Sequence, residues 1–341
     1  MEPTETRTLG RSGLEVPQLG LGCSAIGSLF HDVSEADAHA TIKAAWEAGV
    51  RYFDVAPWYG RGLAELRVGS GLRDRPRDEY VLSTKLGRYL KAQIRGSGTD
   101  LGPWEAPNAF DVVFDYSYDG IMRSYEQSQL RLGLPWADVA VIHDLDAWFH
   151  QPDAQIQAYL DQLATSGWRA IEELKASGLI KAIGAGINLP GFIPRFLERL
   201  ELDFFLVAMP YTLLRQDVLD SEFPACVERN VGFVIGTPFQ SGILATGASG
   251  GARLDYAEPS EADLEKVRGI EAVCARHEVP IAAAALQFVL GHPSVATVLP
   301  GAYKPSQVER NAAAFRHPIP TDLWAELKHE GLLREDAPVP A

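Results

Sequence analysis

Four side chains that can transfer protons follow short apolar runs of the sequence: Asp54, Tyr59, Lys85 and His143. If those runs are neighbouring strands of a parallel sheet, their carboxyl ends meet at one edge and the four side chains converge there. A buried lysine needs a counter-ion, which Asp54 can supply. We therefore expect one small site that combines an ion pair, a phenol and an imidazole.

Lys85 should act on Tyr59 through its charge. At about 4 Å and an effective dielectric of about 20, an ammonium attracts a phenolate by roughly 4 kcal/mol. We expect this attraction to lower the pKa of Tyr59 from its usual value of about 10, with desolvation opposing part of the effect. Tyr59 could then act as acid or base near neutral pH, and His143 could hold the substrate oxygen by a hydrogen bond.

The composition is that of a globular protein. Of 341 residues, 46% are hydrophobic and 22% are charged, and the formal net charge is -14. These values exclude a disordered, collagenous or disulfide-rich chain, and the acidic balance argues against nucleic acid or an anionic membrane as a partner. The cysteines are Cys23, Cys226 and Cys274, whose spacing matches no zinc motif, so we expect no metal.

Nothing in the sequence predicts export or a membrane span. The segment from Met1 to Thr8 is polar and lacks the apolar stretch of a secretory signal. The longest apolar candidate, Ile281 to Leu290, is too short to cross a bilayer and is interpreted as a core helix. We therefore expect a cytoplasmic protein that works as a monomer or a homo-oligomer.

Eight apolar runs recur along the chain, with amphipathic stretches between them. Runs without strict alternation are typical of strands buried on both faces. The expected strands are Leu19–Cys23, Arg51–Val55, Tyr80–Thr84, Asp138–Ile142, Ile180–Ala185, Phe204–Met209, Gly232–Ile235 and Val295–Leu299. The expected helices are Ser34–Ala48, Leu63–Leu72, Tyr118–Leu132, Ala154–Ala176, Phe192–Leu200, Glu222–Asn230, Glu261–His277, Ile281–Leu290 and Pro305–Phe315. This alternation predicts a parallel sheet, and eight strands favour a closed (β/α)8 TIM barrel.

Two segments outside this alternation also have expected roles. Thr6–Leu9 and Leu14–Gln18 flank a glycine-rich turn and predict an N-terminal β-hairpin that covers the bottom of the barrel. The long connection 87–116 should help shape the pocket, and its Gly96-Ser97-Gly98 suggests mobility. We interpret 1–341 as a single barrel domain, made of the hairpin 1–18, the barrel 19–316, and a C-terminal helix and loose tail 317–341.

These segments resemble those of the aldo-keto reductase family over nearly the whole chain. Phe53-Asp54-Val55-Ala56-Pro57-Trp58-Tyr59-Gly60 is similar to the family's aspartate-to-tyrosine signature. Ser83-Thr84-Lys85 and Val141-Ile142-His143 resemble its lysine and histidine segments. The resemblance implies a barrel that binds NAD(P)H across its top, with Tyr59 as proton donor or acceptor beside Asp54, Lys85 and His143. Trp58, held beside Tyr59 by the same turn, is the candidate substrate contact.

The resemblance also implies the residues that would hold the cofactor. Those near the nicotinamide would be Gly22 and Cys23 through their backbone, Asn188 at the carboxamide, and Tyr211 as a stacking ring. Those around the pyrophosphate would be Ser241, Gly242 and Leu244. Those at the adenosine end, near a helix N-terminus, would be Gly301, Lys304, Gln307 and Asn311.

The chain departs from the family pattern at the cofactor site. Ala208 stands where many members have a glutamine that helps to bind the carboxamide. Gly301 and Gln307 replace a lysine and an arginine that often bind the 2′-phosphate of NADPH, and Arg310 stands where an acidic residue is common. Losing two cations weakens phosphate recognition, although Lys304 could replace one of them. The sequence therefore favours NAD over NADP.

Within the family, the chain resembles the aldose dehydrogenase branch, which includes the L-fucose, D-threo-aldose and pyridoxal 4-dehydrogenases. The similar stretches are Tyr211-Thr212-Leu213-Leu214, Pro238-Phe239-Gln240-Ser241-Gly242-Ile243-Leu244 and Leu299-Pro300-Gly301-Ala302. This implies oxidation of an aldose such as L-fucose, L-galactose or D-arabinose at C1, giving the lactone. The alternatives are a pyridoxal 4-dehydrogenase, a general aldehyde or ketone reductase, and a non-catalytic NADPH-binding regulatory subunit.

Overall fold

The structure is a computed structural model that describes residues 1–94, 102–249 and 253–341. Its strands are β1 Thr6–Thr8, β2 Glu15–Pro17, β3 Leu21–Gly22, β4 Tyr52–Asp54, β5 Val81–Leu86, β6 Arg88–Ala92, β7 Phe110–Phe114, β8 Val139–Ile142, β9 Ala182–Ile187, β10 Phe204–Val207, β11 Gly232–Ile235 and β12 Val295–Val298. Each of the eight predicted barrel strands is present, although most are shorter than the apolar run that predicted them.

The barrel strands pair in parallel in the order β3, β4, β5, β8, β9, β10, β11 and β12. Main-chain hydrogen bonds between the first and last strands close the sheet. Gly20 N donates to Val298 O at 2.9 Å, Val298 N donates to Gln18 O at 3.0 Å, and Gly22 N donates to Pro300 O at 3.1 Å. The predicted (β/α)8 barrel is confirmed.

The barrel strands bury both faces, which explains their continuous apolar sequence. Along β8, Val139 and Val141 belong to the cluster inside the barrel, while Ala140 and Ile142 belong to the cluster between strands and helices. The same alternation places Tyr52 inside. Side chains at the carboxyl ends of the strands therefore point either into the mouth of the barrel or towards the surrounding helices.

The N-terminal hairpin closes the bottom of the barrel, as predicted. β1 and β2 pair antiparallel, and Leu9, which follows β1, and Val16 of β2 are fully buried in the interior cluster. Gly10 lies where the chain approaches the start of β11: its φ is 51°, and a Cβ there would lie 1.9 Å from Asp203 O. Only glycine fits so close a backbone contact.

The helices surround the barrel. They are α1 Glu35–Glu47, α2 Leu63–Leu72, α3 Tyr118–Leu132, α4 Asp153–Gln162, α5 Trp168–Ala176, α6 Ile193–Leu197, α7 Glu222–Val227, α8 Ile243–Thr246, α9 Glu261–Arg276, α10 Ile281–Val289, α11 Pro305–Arg316 and α12 Thr321–His329. A π-helical turn, Leu163–Gly167, joins α4 to α5, so the predicted helix over 154–176 is continuous. No helix in the described parts of the chain has the length and apolar character needed to cross a membrane.

Two segments differ from the expectation. The 87–116 connection contains an antiparallel hairpin of β6 and β7, which the sequence reasoning did not predict because β7 is only half-buried and has no uniformly apolar run. Gly96, Ser97 and Gly98 lie outside the described residues.

The tail was expected to be loose, but Ala337 is buried and the backbone of Val339 packs against Gly291. Apolar contacts therefore hold the tail although it has no regular secondary structure.

Candidate active site

A cavity of about 360 Å³ opens at the carboxyl ends of the barrel strands. Asp54, Tyr59, Lys85 and His143 all line it. Asp54 ends β4, Lys85 is the penultimate residue of β5, and His143 directly follows β8. The structure thus brings the four predicted side chains together because consecutive parallel strands end at one mouth.

Lys85 and Asp54 form a buried ion pair. The Lys85 Nζ lies 2.6 Å from Asp54 Oδ2 and donates to the carbonyl oxygen of Val55 at 3.2 Å. Ser83 Oγ donates to the other carboxylate oxygen at 2.6 Å. Lys85 is 2% and Asp54 3% exposed, so water cannot replace either partner. These bonds pair the ammonium with a carboxylate and fix its direction.

The ammonium of Lys85 lies over the ring of Tyr59, 4.6 Å from the ring centre. The expected lowering of the tyrosine pKa does not occur. Burial, followed by the nearby carboxylates of Asp54 and Asp144, raises the pKa of Tyr59 well above its usual value. The physical reason is that Asp54 compensates the charge of Lys85, so the phenol gains little from the ammonium. Tyr59 is therefore a phenol in the protein without ligand.

His143 packs against Tyr59, with their ring centres 5.8 Å apart and their planes nearly perpendicular. Burial, with the charges of Arg88 and Lys85, holds the pKa of His143 well below its usual value, so the ring is neutral. Its Nε2 lies 3.1 Å from Asp144 Oδ2, and its buried Nδ1 has no hydrogen-bond partner within the described residues. Because Nδ1 is buried, Nε2 is the ring nitrogen that can bond a ligand in the cavity, as a donor when it carries the proton.

Aromatic rings form one wall of this cavity. Trp58, predicted as a substrate contact, lines it together with Trp104 and Phe149. The Trp58 ring centre lies 5.6 Å from that of Trp104 and 6.2 Å from that of Phe149, and both pairs meet edge to face. Rings locked against one another in this way present a rigid apolar surface to whatever enters.

A second cavity, of about 620 Å³, adjoins the first. The two share lining residues that include Ser24, Phe30, Thr237 and Tyr256, so they form one cleft across the top of the barrel. Most of the predicted cofactor residues line this cleft. They are Gly22 and Asn188 in the first cavity, and Ser241, Gly242, Gly301, Gln307 and Asn311 in the second.

Three other predicted cofactor residues do not line the cleft. Cys23 is fully buried, and its amide donates to Asp54 O at 2.9 Å. Leu244 is fully buried too, and its amide is bonded to a neighbouring carbonyl. Lys304 is the N-cap residue of α11, and its Nζ lies 5.5 Å from the ring centre of Tyr303. It does not replace the missing phosphate-binding cations within the cavity.

Tyr211 does not reach the cleft either, which corrects its expected stacking role. Its fully buried ring packs against Phe223 and Phe288, with ring centres 4.8 and 5.5 Å away. The reason is the alternation along β10 and beyond. Leu206 and Ala208 face the cavity, whereas Tyr211 lies in the outer cluster between the strands and the helices.

The second cavity has the donors that an anionic dinucleotide requires. Arg253 and Arg310 line it, and the guanidinium of Arg253 lies 4.5 Å above the ring of Phe30. Gly242 has a φ of 117° and nothing near its missing Cβ, which leaves room for a pyrophosphate against the backbone. The sequence reasoning missed Arg253, because its loop carries no motif and only folding brings it to Phe30.

Asn188 is held by two carboxylates at the mouth. Its Nδ2 donates to Asp144 Oδ1 at 2.9 Å and to Asp146 Oδ2 at 3.2 Å. Both amide hydrogens are thus bonded to carboxylates, so the carbonyl oxygen is the group that Asn188 can offer to a ligand. Among the described residues, no group of three or more His, Cys, Asp or Glu side chains could hold a metal ion.

Comparisons with known proteins agree with this geometry. The sequence profile of the Aldo/keto reductase family matches residues 18–330. The chain is 39% identical to a pyridoxal 4-dehydrogenase of Microbacterium luteolum, over 98% of this chain and 99% of that protein. It is 37% identical to a D-threo-aldose 1-dehydrogenase of a Pseudomonas species, over 94% and 96% of the two chains. The solved holo form of an aldo-keto reductase from Bacillus halodurans shares 26% identity at a TM-score of 0.72, over 99% and 98% of the chains.

A barrel of this kind, with a proton-transfer site and a long cleft at its mouth, is the scaffold of a dehydrogenase or reductase. The chain belongs to the aldo/keto reductase family. It is an oxidoreductase acting on aldehyde or alcohol groups, in a family that uses nicotinamide cofactors. These similarities to dehydrogenases do not favour the non-catalytic regulatory subunit.

Proposed function

We propose that this enzyme oxidises a cyclic hemiacetal to a lactone with NAD, and that its substrate is an aldose such as L-fucose, L-galactose or D-arabinose, oxidised at C1. The observation that carries the proposal is the grouping of Tyr59, Lys85, Asp54 and His143 in one cavity beside a rigid aromatic wall. Sugar rings present C–H faces that pack on such walls, while their hydroxyls need the polar groups at the mouth.

In the direction of oxidation, the phenolate form of Tyr59, which is populated as the pH rises, accepts the proton of the anomeric hydroxyl as the C1–H bond breaks. Bound nicotinamide would supply the acceptor for the hydride that leaves C1. Lys85 and Asp54 form an ion pair beside the phenol, so that their opposite charges largely cancel there. The neutral His143 binds the substrate oxygen. The C=O bond of the lactone forms as the proton and the hydride leave, so atoms and electrons balance.

The cofactor residues have unequal roles in this proposal. The carbonyl oxygen of Asn188 would accept a hydrogen bond from the carboxamide, since its amide nitrogen is already used. Ser241 and Gly242 would surround the pyrophosphate, and Gly301 and Asn311 would border the adenosine end. Gly22 offers only backbone, which allows close approach. The remaining predicted residues contribute through the core or the helix cap, not by touching the cofactor.

We propose NAD as the preferred cofactor. Gly301 has no side chain to offer to a 2′-phosphate. Gln307 Oε1 already accepts the amides of Tyr303 and Lys304, at 2.8 and 3.2 Å. Arg310 and Arg253 remain as cations for the two phosphates that NAD already has, so an additional 2′-phosphate would have to share them.

Pyridoxal is the second candidate substrate. It too closes into a cyclic hemiacetal, through the hydroxymethyl group next to its aldehyde. The observation that favours it is the combination of 39% identity to a pyridoxal 4-dehydrogenase with a cavity wall built from Trp58, Trp104 and Phe149. A flat pyridine ring stacks on indole and phenyl faces.

A steady-state screen with NAD+ and L-fucose, L-galactose, D-arabinose, L-rhamnose and pyridoxal tests both candidates. Formation of NADH with an aldose, and of the lactone as the first product, is the expected result. Turnover of pyridoxal alone would replace the aldose by the second candidate. No turnover of any of them, with intact NADH binding, would contradict the hemiacetal proposal.

We expect the reaction to take place in the cytoplasm, since Cys23, Cys226 and Cys274 are unpaired thiols.

A further inference from the structure

Asp144 directly follows His143 and lines the same cavity, yet it lies outside the set of four proton-transfer residues. Its φ is 46°, a left-handed conformation that costs free energy in a residue other than glycine. This turn directs the side chain back to the mouth of the barrel instead of into solvent: its side chain is only 14% exposed. Strained backbone of this kind persists where the surrounding contacts impose it.

Two donors hold the carboxylate of Asp144. Arg88 Nη2 donates to Oδ2 at 2.8 Å and Asn188 Nδ2 donates to Oδ1 at 2.9 Å, while His143 Nε2 lies 3.1 Å from Oδ2 without forming a hydrogen bond. A carboxylate has about four acceptor positions, so about two remain for a ligand. Because Asp144 lines the cavity, these positions are available to a molecule bound beside His143.

Arg88 gives this carboxylate a fixed charge partner. The Arg88 side chain is 1% exposed, and its guanidinium lies 4.2 Å from the ring centre of Phe149 and 4.9 Å from that of Phe114. Its Nε and Nη1 have no hydrogen-bond partner within the described residues. A buried cation with its other donors against aromatic rings has Asp144 as its ion-pair partner, which keeps the carboxylate in one place.

From this arrangement we propose that Asp144 is a specificity-determining residue: its carboxylate accepts a hydrogen bond from a substrate hydroxyl next to the reacting carbon. The proposal deepens the proposed function, since aldoses carry a hydroxyl at that carbon. A substrate oxygen held by His143 places the neighbouring carbon within reach of the next residue along the chain. The aromatic side of the cavity offers no acceptor of this strength, because indole and phenyl rings have none.

The test compares two aldehydes of equal chain length, L-lactaldehyde and propanal, reduced with NADH. Only the former has a hydroxyl next to the aldehyde. For Asp144→Asn, which keeps the size of the side chain and removes its charge, we expect the kcat/KM ratio of lactaldehyde to propanal to fall about tenfold or more relative to wild type, mainly through KM. An effect of the substitution on His143 would change kcat/KM for both aldehydes equally, so it cancels in the ratio.

Asp146→Asn is the matched control. Asp146 also bonds Asn188, but it is fully buried and does not line the cavity. It should change kcat/KM for the two aldehydes by the same factor. An unchanged ratio in Asp144→Asn, or an equal fall of the ratio in both variants, would overturn the proposal.

A second variant distinguishes a specific effect on substrate binding from loss of folding. Arg88→Met combined with Asp144→Asn removes both charges of the buried pair, and NADH binding followed by fluorescence reports whether the cleft is intact. The same fall of the ratio is expected. In wild type, lactaldehyde should have the lower KM, and equal KM values for the two aldehydes would overturn the proposal without any variant. Since simple aldehydes are used, failure of the aldose proposal alone would leave this result unchanged.

Discussion

The ammonium of Lys85 lies over the ring of Tyr59, 4.6 Å from its centre, where its charge meets the π face of the phenol. The same ammonium is 2.6 Å from the carboxylate of Asp54. The opposite charges of Lys85 and Asp54 largely cancel in their effect on the phenol. Burial therefore dominates the pKa of Tyr59 until a charged ligand enters the cleft.

Replacing Tyr59 with phenylalanine should abolish nearly all turnover, because the hydroxyl is the only part of the side chain that can exchange a proton. Cofactor binding should remain, since the ring itself is retained. Steady-state rates and NADH titration measure the two effects. Retention of more than a few per cent of the wild-type rate would show that another group transfers the proton.

The ion pair should control the pH dependence of oxidation. At saturating NAD+, log kcat/KM should rise with pH as Tyr59 loses its proton, with a slope of about 1. Lys85→Met leaves the carboxylate of Asp54 unbalanced and should move this limb to higher pH. Asp54→Asn leaves the ammonium unbalanced and should move it to lower pH. A shift of the pH profile in the same direction in both variants would contradict the proposal that the charges of Lys85 and Asp54 offset each other.

Arg310 should contribute to dinucleotide binding through charge. Arg310→Ala should weaken NAD+ by about threefold to tenfold, and NADP+ by more, since NADP+ carries the additional phosphate. Arg316→Ala is the matched control on the same helix: Arg316 bonds Glu2 and the carbonyl of Ala48, away from the cleft. Kd values from fluorescence titration compare the four cases. Equal losses in the two variants would point to a global charge effect.

Tyr211→Leu removes the aromatic ring and so separates the expected stacking role from the structure. The Tyr211 ring packs against Phe223 and Phe288 and lies outside the cleft. The substitution should leave the Kd for NADH within about twofold, and it should lower the melting temperature because a buried ring is lost from the core. A large loss of NADH affinity in the folded variant would show that the Tyr211 ring stacks on the nicotinamide.

Acid should destabilise the fold through buried histidines. Burial lowers the pKa of His292 to about 4, and burial with the charge of Arg88 lowers that of His150 to about 4. As pH falls below about 6.5, the unfolded chain takes up these protons first, so stability present above that pH is lost on acidification. By about pH 4 each histidine costs about 3 kcal/mol. Burial raises the pKa of Asp146 to about 6, which offsets part of the loss.

Thermal unfolding at about pH 7 and about pH 4.5 checks this prediction. His292→Asn removes the titrating group while leaving an acceptor for the amide of Ser294, which His292 Nδ1 now bonds at 3.2 Å. The variant should lose less stability between the two pH values than wild type does. An identical loss in both proteins would mean that other groups dominate acid unfolding.

The sequence predicts this barrel well because strands buried on both faces leave long apolar runs, and the proton-transfer residues end those runs. It predicts less where side-chain direction matters. Tyr211 lies beyond Pro210, and only the alternation measured from Leu206 shows that its ring turns away from the cavity. Arg253 reaches the cleft through a loop contact with Phe30 that no local pattern encodes. Asp144 depends on a positive φ that the sequence does not predict.

The contacts of the hairpin and of the tail have a practical consequence. Arg7 in β1 donates to the carbonyl oxygens of Leu290 and Val295, and the backbone of Val339 packs on Gly291. Both ends of the chain therefore meet on the face opposite the cleft. The enzyme could be anchored to an electrode or a resin through either end with its mouth facing the solution, and the two ends could be joined for circular permutation.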